Sequence, residues 1–259
     1  MRTDPPEPAA DNAKSLLAAT KAWLNAGLAF FYPEACQLCG QERAGPAEGY
    51  ICGRCQSRVQ FIQKPYCERC GRPFEGAITS SFECEHCRES KLHFRSARSA
   101  VAFKDEAQEV IHRYKYQHAL WFEPFLSDLL ARVTRPELEA EKWDFIVPVP
   151  LHPTKQRERG FNQAERLAAC LGRATGIPMN SRLLRRVTNT PSQTKLSREQ
   201  REANMRNAFA PANKRRLNGA RIVVLDDVFT TGATTNACAQ VLKRAGAAEV
   251  CVWTVARGI

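Results

Sequence analysis

Two groups of residues in this chain of 259 have the types and spacing to do chemistry. The first is Leu225-Asp226-Asp227-Val228-Phe229-Thr230-Thr231-Gly232-Ala233-Thr234, in which adjacent carboxylates precede small hydroxylated residues and a glycine. A turn of small residues that opens a helix exposes backbone N–H donors to an anion, and threonine hydroxyls add further donors. The carboxylates would repel that anion, so they must face something else. The vicinal hydroxyls of a sugar fit, because carboxylates accept hydrogen bonds from them. The implied ligand is a ribose 5-phosphate unit. An acidic helix cap after a buried strand is the plainer reading, and it leaves the coincidence of strand, both aspartates, TTGAT and helix unexplained.

The second group is cysteine. Eight of the eleven cysteines form four C-x-x-C pairs: Cys36/Cys39, Cys52/Cys55, Cys67/Cys70 and Cys84/Cys87. A two-residue gap lets both sulfurs of a pair converge on one ion, so two pairs make a tetrahedral four-thiolate zinc site and four pairs make two. The segment also repeats, Cys36 to Cys67 being 31 residues and Cys52 to Cys84 being 32. That repeat favours two consecutive zinc ribbons, while a cross-braced pairing stays open because spacing does not fix which pairs share an ion. Disulfides or redox dithiols are the alternatives, disfavoured by four equivalent pairs in a chain with no secretory signal. His86 lies inside the last pair, where four sulfurs already complete the site. Cys170, Cys238 and Cys251 read as small buried hydrophobes. So small a segment has few large apolar residues, and metal must supply much of its folding energy.

Strands and helices must position these groups. Residues 97–103 alternate as a strand does, 106–117 and 123–133 read as helices, and 144–152 give a short apolar strand ending in prolines. A basic loop follows, then a helix over 162–173. Ile222 to Leu225 is an apolar β-branched run ending at the two aspartates, followed by a helix over 234–245 and a last strand from Val250 to Val255. Helices between buried strands predict a mostly parallel sheet covered on both faces, whose ligands bind beyond the carboxyl ends of the strands.

The formal charge of +11 is uneven: residues 154–221 hold 16 Lys and Arg against four Glu. Such a field suits phosphate-bearing partners, a phosphorylated small molecule or nucleic acid, though a charge surplus is often only a solvated face. Aromatic residues for base stacking are sparse there, Phe161 and Phe209 alone. No G-x-x-x-x-G-K-[ST] or G-x-G-x-x-G occurs, which disfavours an ATP-driven motor or a dinucleotide enzyme. No run approaches the roughly 18 apolar residues of a membrane span. Leu16 to Phe31 is interrupted by Lys21 and Asn25, preceded by Asp4, Glu7 and Asp11, and followed by no cleavage pattern, so it reads as an amphipathic helix and the expected setting is cytoplasmic.

The stretch VVLDDVFTTGATT resembles the phosphoribosyl pyrophosphate motif of type I phosphoribosyltransferases. Together with Phe31-Tyr32-Pro33, the C-x-x-C pairs, LHPTKQRERGFNQA (151–164) and TPSQTKLSREQREANMRNAF (190–209), it resembles the ComF family of late-competence proteins over residues 30–257. The resemblance implies a type I phosphoribosyltransferase-like α/β domain over 95–259, behind a double zinc ribbon over 34–90 and an N-terminal extension over 1–33. It implies that Asp226 and Asp227 hold the ribose hydroxyls and that Thr230, Thr231, Gly232, Ala233 and Thr234 cradle the 5-phosphate. The loop at 148–155 would receive pyrophosphate. A flexible loop would close over the site with Thr190, Gln193 and Arg201 as polar contacts, and Lys115, Arg159 and Arg201 would act as catalytic cations. Magnesium would accompany the phosphoribosyl pyrophosphate, beside two structural zinc ions.

Transfer from such a donor needs positioning and electrostatics more than a base, and none of the five histidines falls in a catalytic dyad pattern. The acceptor is not legible. A phosphoribosyltransferase with an unknown acceptor and a non-catalytic module that binds single-stranded DNA during uptake both fit. A purely structural zinc scaffold leaves DD-TTGAT unexplained.

Overall fold

The computed structural model describes residues 34–74, 76, 81–188, 205, 207–213 and 216–259. The N-terminal extension, its expected helix and Phe31-Tyr32-Pro33 lie outside the described residues.

The sheet forms where the sequence is most continuously apolar. Strand β5 (Arg221–Phe229) carries Ile222, Val223, Val224 and Leu225, all wholly buried, as a strand covered on both faces must be. It lies between β2 (Phe145–Pro148) and β6 (Glu249–Arg257), and β6 in turn pairs with β1 (Ala97–Ala102). The order is β1-β6-β5-β2, with every pairing parallel. Helix α3 (Asp105–Tyr116), helix α4 (Glu123–Glu139) and helix α6 (Gln163–Thr175) share a core with Val223, Leu225 and Trp253 on one face. Helix α7 (Ala233–Arg244) covers Ile222, Val224 and Val252 on the other. This is the mostly parallel sheet with flanking helices that the sequence predicts.

Two short helices, α1 (Gly53–Ser57) and α2 (Glu85–Glu89), belong to the cysteine-rich segment. Its halves straddle the sheet. Ile51, Cys55 and Val59 join the core on the α4 and α6 side, whereas Cys67, Cys87 and Phe94 join the core on the α7 side. The chain between them runs along β1, where the Ala102 N–H donates to Gln60 O at 2.8 Å and the Ile62 N–H to Ala100 O at 3.0 Å. An edge strand with unpaired backbone groups is thereby closed by the protein's own linker.

Three local features differ from the sequence expectation. Residues 153–159 form helix α5 (Pro153–Arg159) rather than a basic loop. His152 caps it by accepting the Thr154 N–H at 3.3 Å, Pro153 supplies the preset φ of a first turn, and Gly160 ends it at φ 71. Helix α4 continues through Pro136 because Leu138, 2% exposed, still packs into the core. Strand β5 continues to Phe229, so Asp226 and Asp227 lie inside it rather than just past its end. An antiparallel pair, β3 (Leu184–Arg186) with β4 (Phe209–Pro211), brackets the segment that holds Thr190, Gln193 and Arg201, and those three residues lie outside the described ones.

Candidate functional site

The cysteines resolve into two clusters in consecutive order. Cys36, Cys39, Cys52 and Cys55 form one and Cys67, Cys70, Cys84 and Cys87 the other, with all sulfurs of a cluster within 4.8 Å of one another. The pairing left open by spacing is therefore ribbon by ribbon, and no cross-brace exists. All eight are free thiols, with Sγ to Sγ separations of 3.7 Å for Cys36/Cys55 and Cys39/Cys52 and 3.8 Å for Cys70/Cys84. Those are the separations of sulfurs at the corners of a tetrahedron about 2.3 Å from a zinc ion, and far beyond a bonded pair. Each ribbon also aims backbone N–H groups at its first cysteine. Cys52 N–H points at Cys36 Sγ at 3.4 Å and Cys84 N–H at Cys67 Sγ at 3.3 Å. Burial raises these thiols, but the N–H donors win and bring Cys36 down to about 6 and Cys67 to about 7. The donor set and its geometry fit two structural zinc ions.

The second constellation grows out of sheet register. Strand β2 ends at Pro148, opposite Leu225, and the Val149 N–H to Leu225 O bond at 2.8 Å is its last contact with β5. Among the described residues, β5 beyond Leu225 keeps β6 on one side only. The backbone turns to its own carboxylates: the Asp227 N–H donates to Asp226 Oδ1 at 2.9 Å, and the Val228 N–H to Asp227 Oδ1 at 2.8 Å.

Successive strand residues face opposite sides of a sheet, and the two aspartates accordingly have different neighbours. Asp227, 4% exposed, meets Lys115 of α3, whose Nζ lies 2.7 Å from its Oδ2. Burial raises the Asp227 carboxyl, but Lys115 outweighs it with help from Arg159 and holds the group below the usual carboxylate range. Asp226 is raised to about 7, by burial first and by the Asp227 charge second, with Lys115 opposing. Its charge is also felt by Cys238 and Arg186, on the α7 side. The site thus holds one fixed anion and one carboxyl that exchanges its proton near neutrality.

Phe229 ends the strand, Thr230 is exposed, and Gly232 starts α7 with φ 81. A Cβ on Gly232 would lie 2.5 Å from Phe229 Cζ, so both the left-handed turn and the adjacent ring require glycine before any ligand is considered. Thr231 Oγ1 accepts the Ala233 N–H at 3.4 Å. Thr235, not singled out by the sequence, donates to Gly232 O at 3.1 Å and fixes the turn. Thr230 and Thr231 line a cleft of about 130 Å3 with Cys84, Cys87 and Arg257. The second ribbon thus stands against the loop. Arg257, 5% exposed, joins them: it donates to Cys70 O at 2.5 Å, reaches Cys70 Sγ at 3.4 Å, and stacks 4.7 Å from the Phe229 ring centroid.

The structure therefore brings Asp226, Asp227, Lys115 and Arg159 together ahead of the Thr230–Thr234 turn. Arg159 is aimed by Gln163, which accepts its Nη1–H at 2.8 Å, and by the Tyr116 ring 5.3 Å away. The RGFNQ motif proves partly architectural. Asn162 accepts the Ala164 N–H at 3.1 Å and donates to Val149 O at 3.1 Å, tying the start of α6 to the loop after β2. The basic surplus is also partly architectural. Arg221 stacks 4.6 Å over Trp143 and pairs with Glu141 and Glu249 at the opposite end of the sheet, and Arg166 pairs with Glu123. Among the described residues no helix is long and apolar enough to cross a membrane.

Known proteins resemble this chain along most of its length. A family model described as a double zinc ribbon domain matches residues 27–90. Competence protein F of Haemophilus influenzae is 30% identical over 215 residues, covering 82% of this chain and 92% of the relative. DNA utilization protein YhgH of Escherichia coli is 32% identical over 232 residues, covering 87% and 97%. Competence protein ComFC of Bacillus subtilis is 31% identical over 212 residues, covering 80% and 84%. Among solved structures, the glutamine phosphoribosylpyrophosphate amidotransferase of B. subtilis matches 49% of this chain and 24% of its own, at 24% identity and TM-score 0.32. An adenine phosphoribosyltransferase of Thermoanaerobacter pseudethanolicus matches 56% and 83%, at 18% identity and TM-score 0.33. Likenesses at such scores carry no weight.

Proposed function

The chain belongs to the ComF family of competence and DNA-utilization proteins, and on that premise we propose that its β5–α7 site binds phosphoribosyl pyrophosphate in the service of DNA uptake. The carrying observation is the succession of Asp226 and Asp227 on the unpaired flank of β5, the Thr230–Gly232 turn and the start of α7, with Lys115 2.7 Å from Asp227. In this reading the turn and the helix N-terminus take the 5-phosphate. Asp226, titrating near neutrality, exchanges hydrogen bonds with a ribose hydroxyl, and Asp227 holds the neighbouring hydroxyl while Lys115 balances its charge.

Hard oxygen donors at these carboxylates suit magnesium, which when bound would neutralise pyrophosphate charge. If the bound donor is turned over, the bond from the anomeric carbon to pyrophosphate breaks with positive charge developing on the ribose. Lys115 and Arg159, with Arg201, then supply the departing anion with cations, and the carboxylates face the developing positive charge. No base on the protein is required beyond what the acceptor itself brings.

Calorimetry with phosphoribosyl pyrophosphate and magnesium, on wild type and on the Asp226→Asn/Asp227→Asn double variant, tests the site. Binding that disappears in the variant supports it, and no binding by folded, zinc-loaded wild type removes it. A second reading, a non-catalytic module that binds single-stranded DNA, is favoured by the basic residues of α5, Arg157 exposed and Lys155 and Arg159 half-buried. There log affinity for a single strand falls steeply with log salt, and a weak, flat dependence would count against it.

A further inference from the structure

The sequence places only Phe161 and Phe209 as aromatics within the basic stretch, but the fold sets other rings beside it. Three of the large hydrophobics exposed among the described residues fall from the end of α3 to the start of α4: Tyr116 at 50%, Leu120 at 36% and Trp121 at 42%. Exposed aromatic rings at that density on a folded surface call for a partner. Tyr116 is the last residue of α3, and it borders the carboxylate site through Arg159, which lies on its ring and whose charge reaches Asp227. Its ring lies 4.9 Å from that of His112 and 5.3 Å from the Arg159 guanidinium, which joins this segment to the basic helix α5.

We infer that the Tyr116–Trp121 rim, together with Lys155, Arg157 and Arg159 of α5, is the surface on which a single-stranded nucleic acid lies, bases on the rings and phosphates on the cations. This rests on the nucleic-acid reading above and gives it a location. Charge selects the occupant. Rings with arginine also suit a protein interface, but lysine is depleted there; Lys155, Arg157 and Arg159 on seven residues of α5, with Arg159 against the Tyr116 ring, give the cationic track and stacking ring that a single strand uses. The carboxylates on the same helices leave that field positive. Glu158 is taken up by Lys155 at 3.6 Å and Glu106 by Arg58, while Glu109 and Asp105 lie seven and eleven residues, about 10 and 16 Å along α3, behind Tyr116. A duplex keeps its base faces covered and offers the rings nothing. Tyr116 and Trp121 are five residues apart, so at most about 17 Å of chain separates them, a span of a few nucleotides.

The test uses a fluorescent oligothymidylate, its hairpin duplex counterpart and the zinc-loaded full chain. Tyr116→Ala and Trp121→Ala should each weaken single-strand binding on the order of tenfold, with Tyr116→Phe and Trp121→Phe close to wild type. Oligothymidylate should quench tryptophan fluorescence in a Trp23→Phe background, and Trp121→Phe in that background should lose the quench, since Trp143 and Trp253 are buried. Phosphoribosyl pyrophosphate calorimetry on Trp121→Ala runs in parallel and should be unchanged. If that ligand binds nowhere while the alanine effects persist, the rim stands and the ribose-phosphate site falls. Unchanged single-strand affinity in both alanine variants, no quench, no single-strand binding by wild type at low salt, or equal affinity for the duplex overturns the rim.

Discussion

Lys115 Nζ lies 2.7 Å from Asp227 Oδ2, joining the end of α3 to the far half of β5 across 112 residues of sequence. The pair is largely closed off from solvent, with side-chain exposures of 22% and 5%. Removing one partner of a buried pair leaves the other as an uncompensated charge. Lys115→Met should therefore destabilise the fold by about 3 kcal/mol, and Lys115→Met/Asp227→Asn should recover part of that, read by urea unfolding. Asp227 titrates below its ordinary value in the folded chain, so its contribution is present above the unfolded carboxylate range near pH 4 and is lost as pH falls through the lower folded value. The deficit of Lys115→Met should shrink in acid accordingly.

Asp226 behaves in the opposite sense. Its folded carboxyl titrates at about 7, above the roughly 3.9 of an unfolded aspartate, so the folded chain keeps this proton longer and stability falls as pH rises from about 4 to 7. Asp226→Asn should stabilise the magnesium-free protein at pH 8, on the order of 2 kcal/mol, with the gain gone below about pH 4. The same variant should bind phosphoribosyl pyrophosphate more weakly. An Asp226→Asn protein no more stable than wild type at pH 8 would show that the carboxyl is not held against its charge.

Gly232→Ala meets two obstacles, a φ of 81 and a Cβ 2.5 Å from the Phe229 ring. The expected cost is about 2–3 kcal/mol. Gly232→Ala/Phe229→Ala should remain impaired, because it relieves the contact and not the backbone. Thermal unfolding of these two variants and of Phe229→Ala alone, whose ring is buried against Phe94 and Arg257, separates the contributions.

Metal analysis should return two zinc ions per chain and one after Cys87→Ser. Cobalt substitution should give thiolate charge-transfer bands of four-sulfur intensity in wild type, halved in the variant. A stoichiometry near zero would remove the ribbon assignment.

Most of the sheet and helices was legible because each rests on a local pattern. Ile222–Leu225 is apolar without interruption, Asp105–Tyr116 is amphipathic, and Gly246 follows α7. The cysteine repeat carried the double ribbon for the same reason. Helix α5 was missed: its charge reads as a basic loop, although Pro153 and Gly160 mark its two ends. What sequence could not supply are relations between distant residues. The Lys115–Asp227 pair, the Arg159–Tyr116 contact and the Arg257–Cys70 bond join separate elements, and no periodicity encodes them. The opposite sides taken by Asp226 and Asp227 follow only once β5 is known to run past Leu225.

The Arg257–Cys70 bond spans 187 residues, and β6, which carries the arginine, lies inside the sheet between β1 and β5. A chain leaving the ribosome makes both ribbons and β1 long before that strand exists. Until β6 emerges, β1 has no sheet neighbour and the second metal cluster lacks the guanidinium that faces its thiolates. The latest strand of the sheet to be synthesised is thus the one that completes the seat of the second ribbon, and a nascent chain halted before residue 249 would hold that ribbon against α7 without the guanidinium that faces its thiolates.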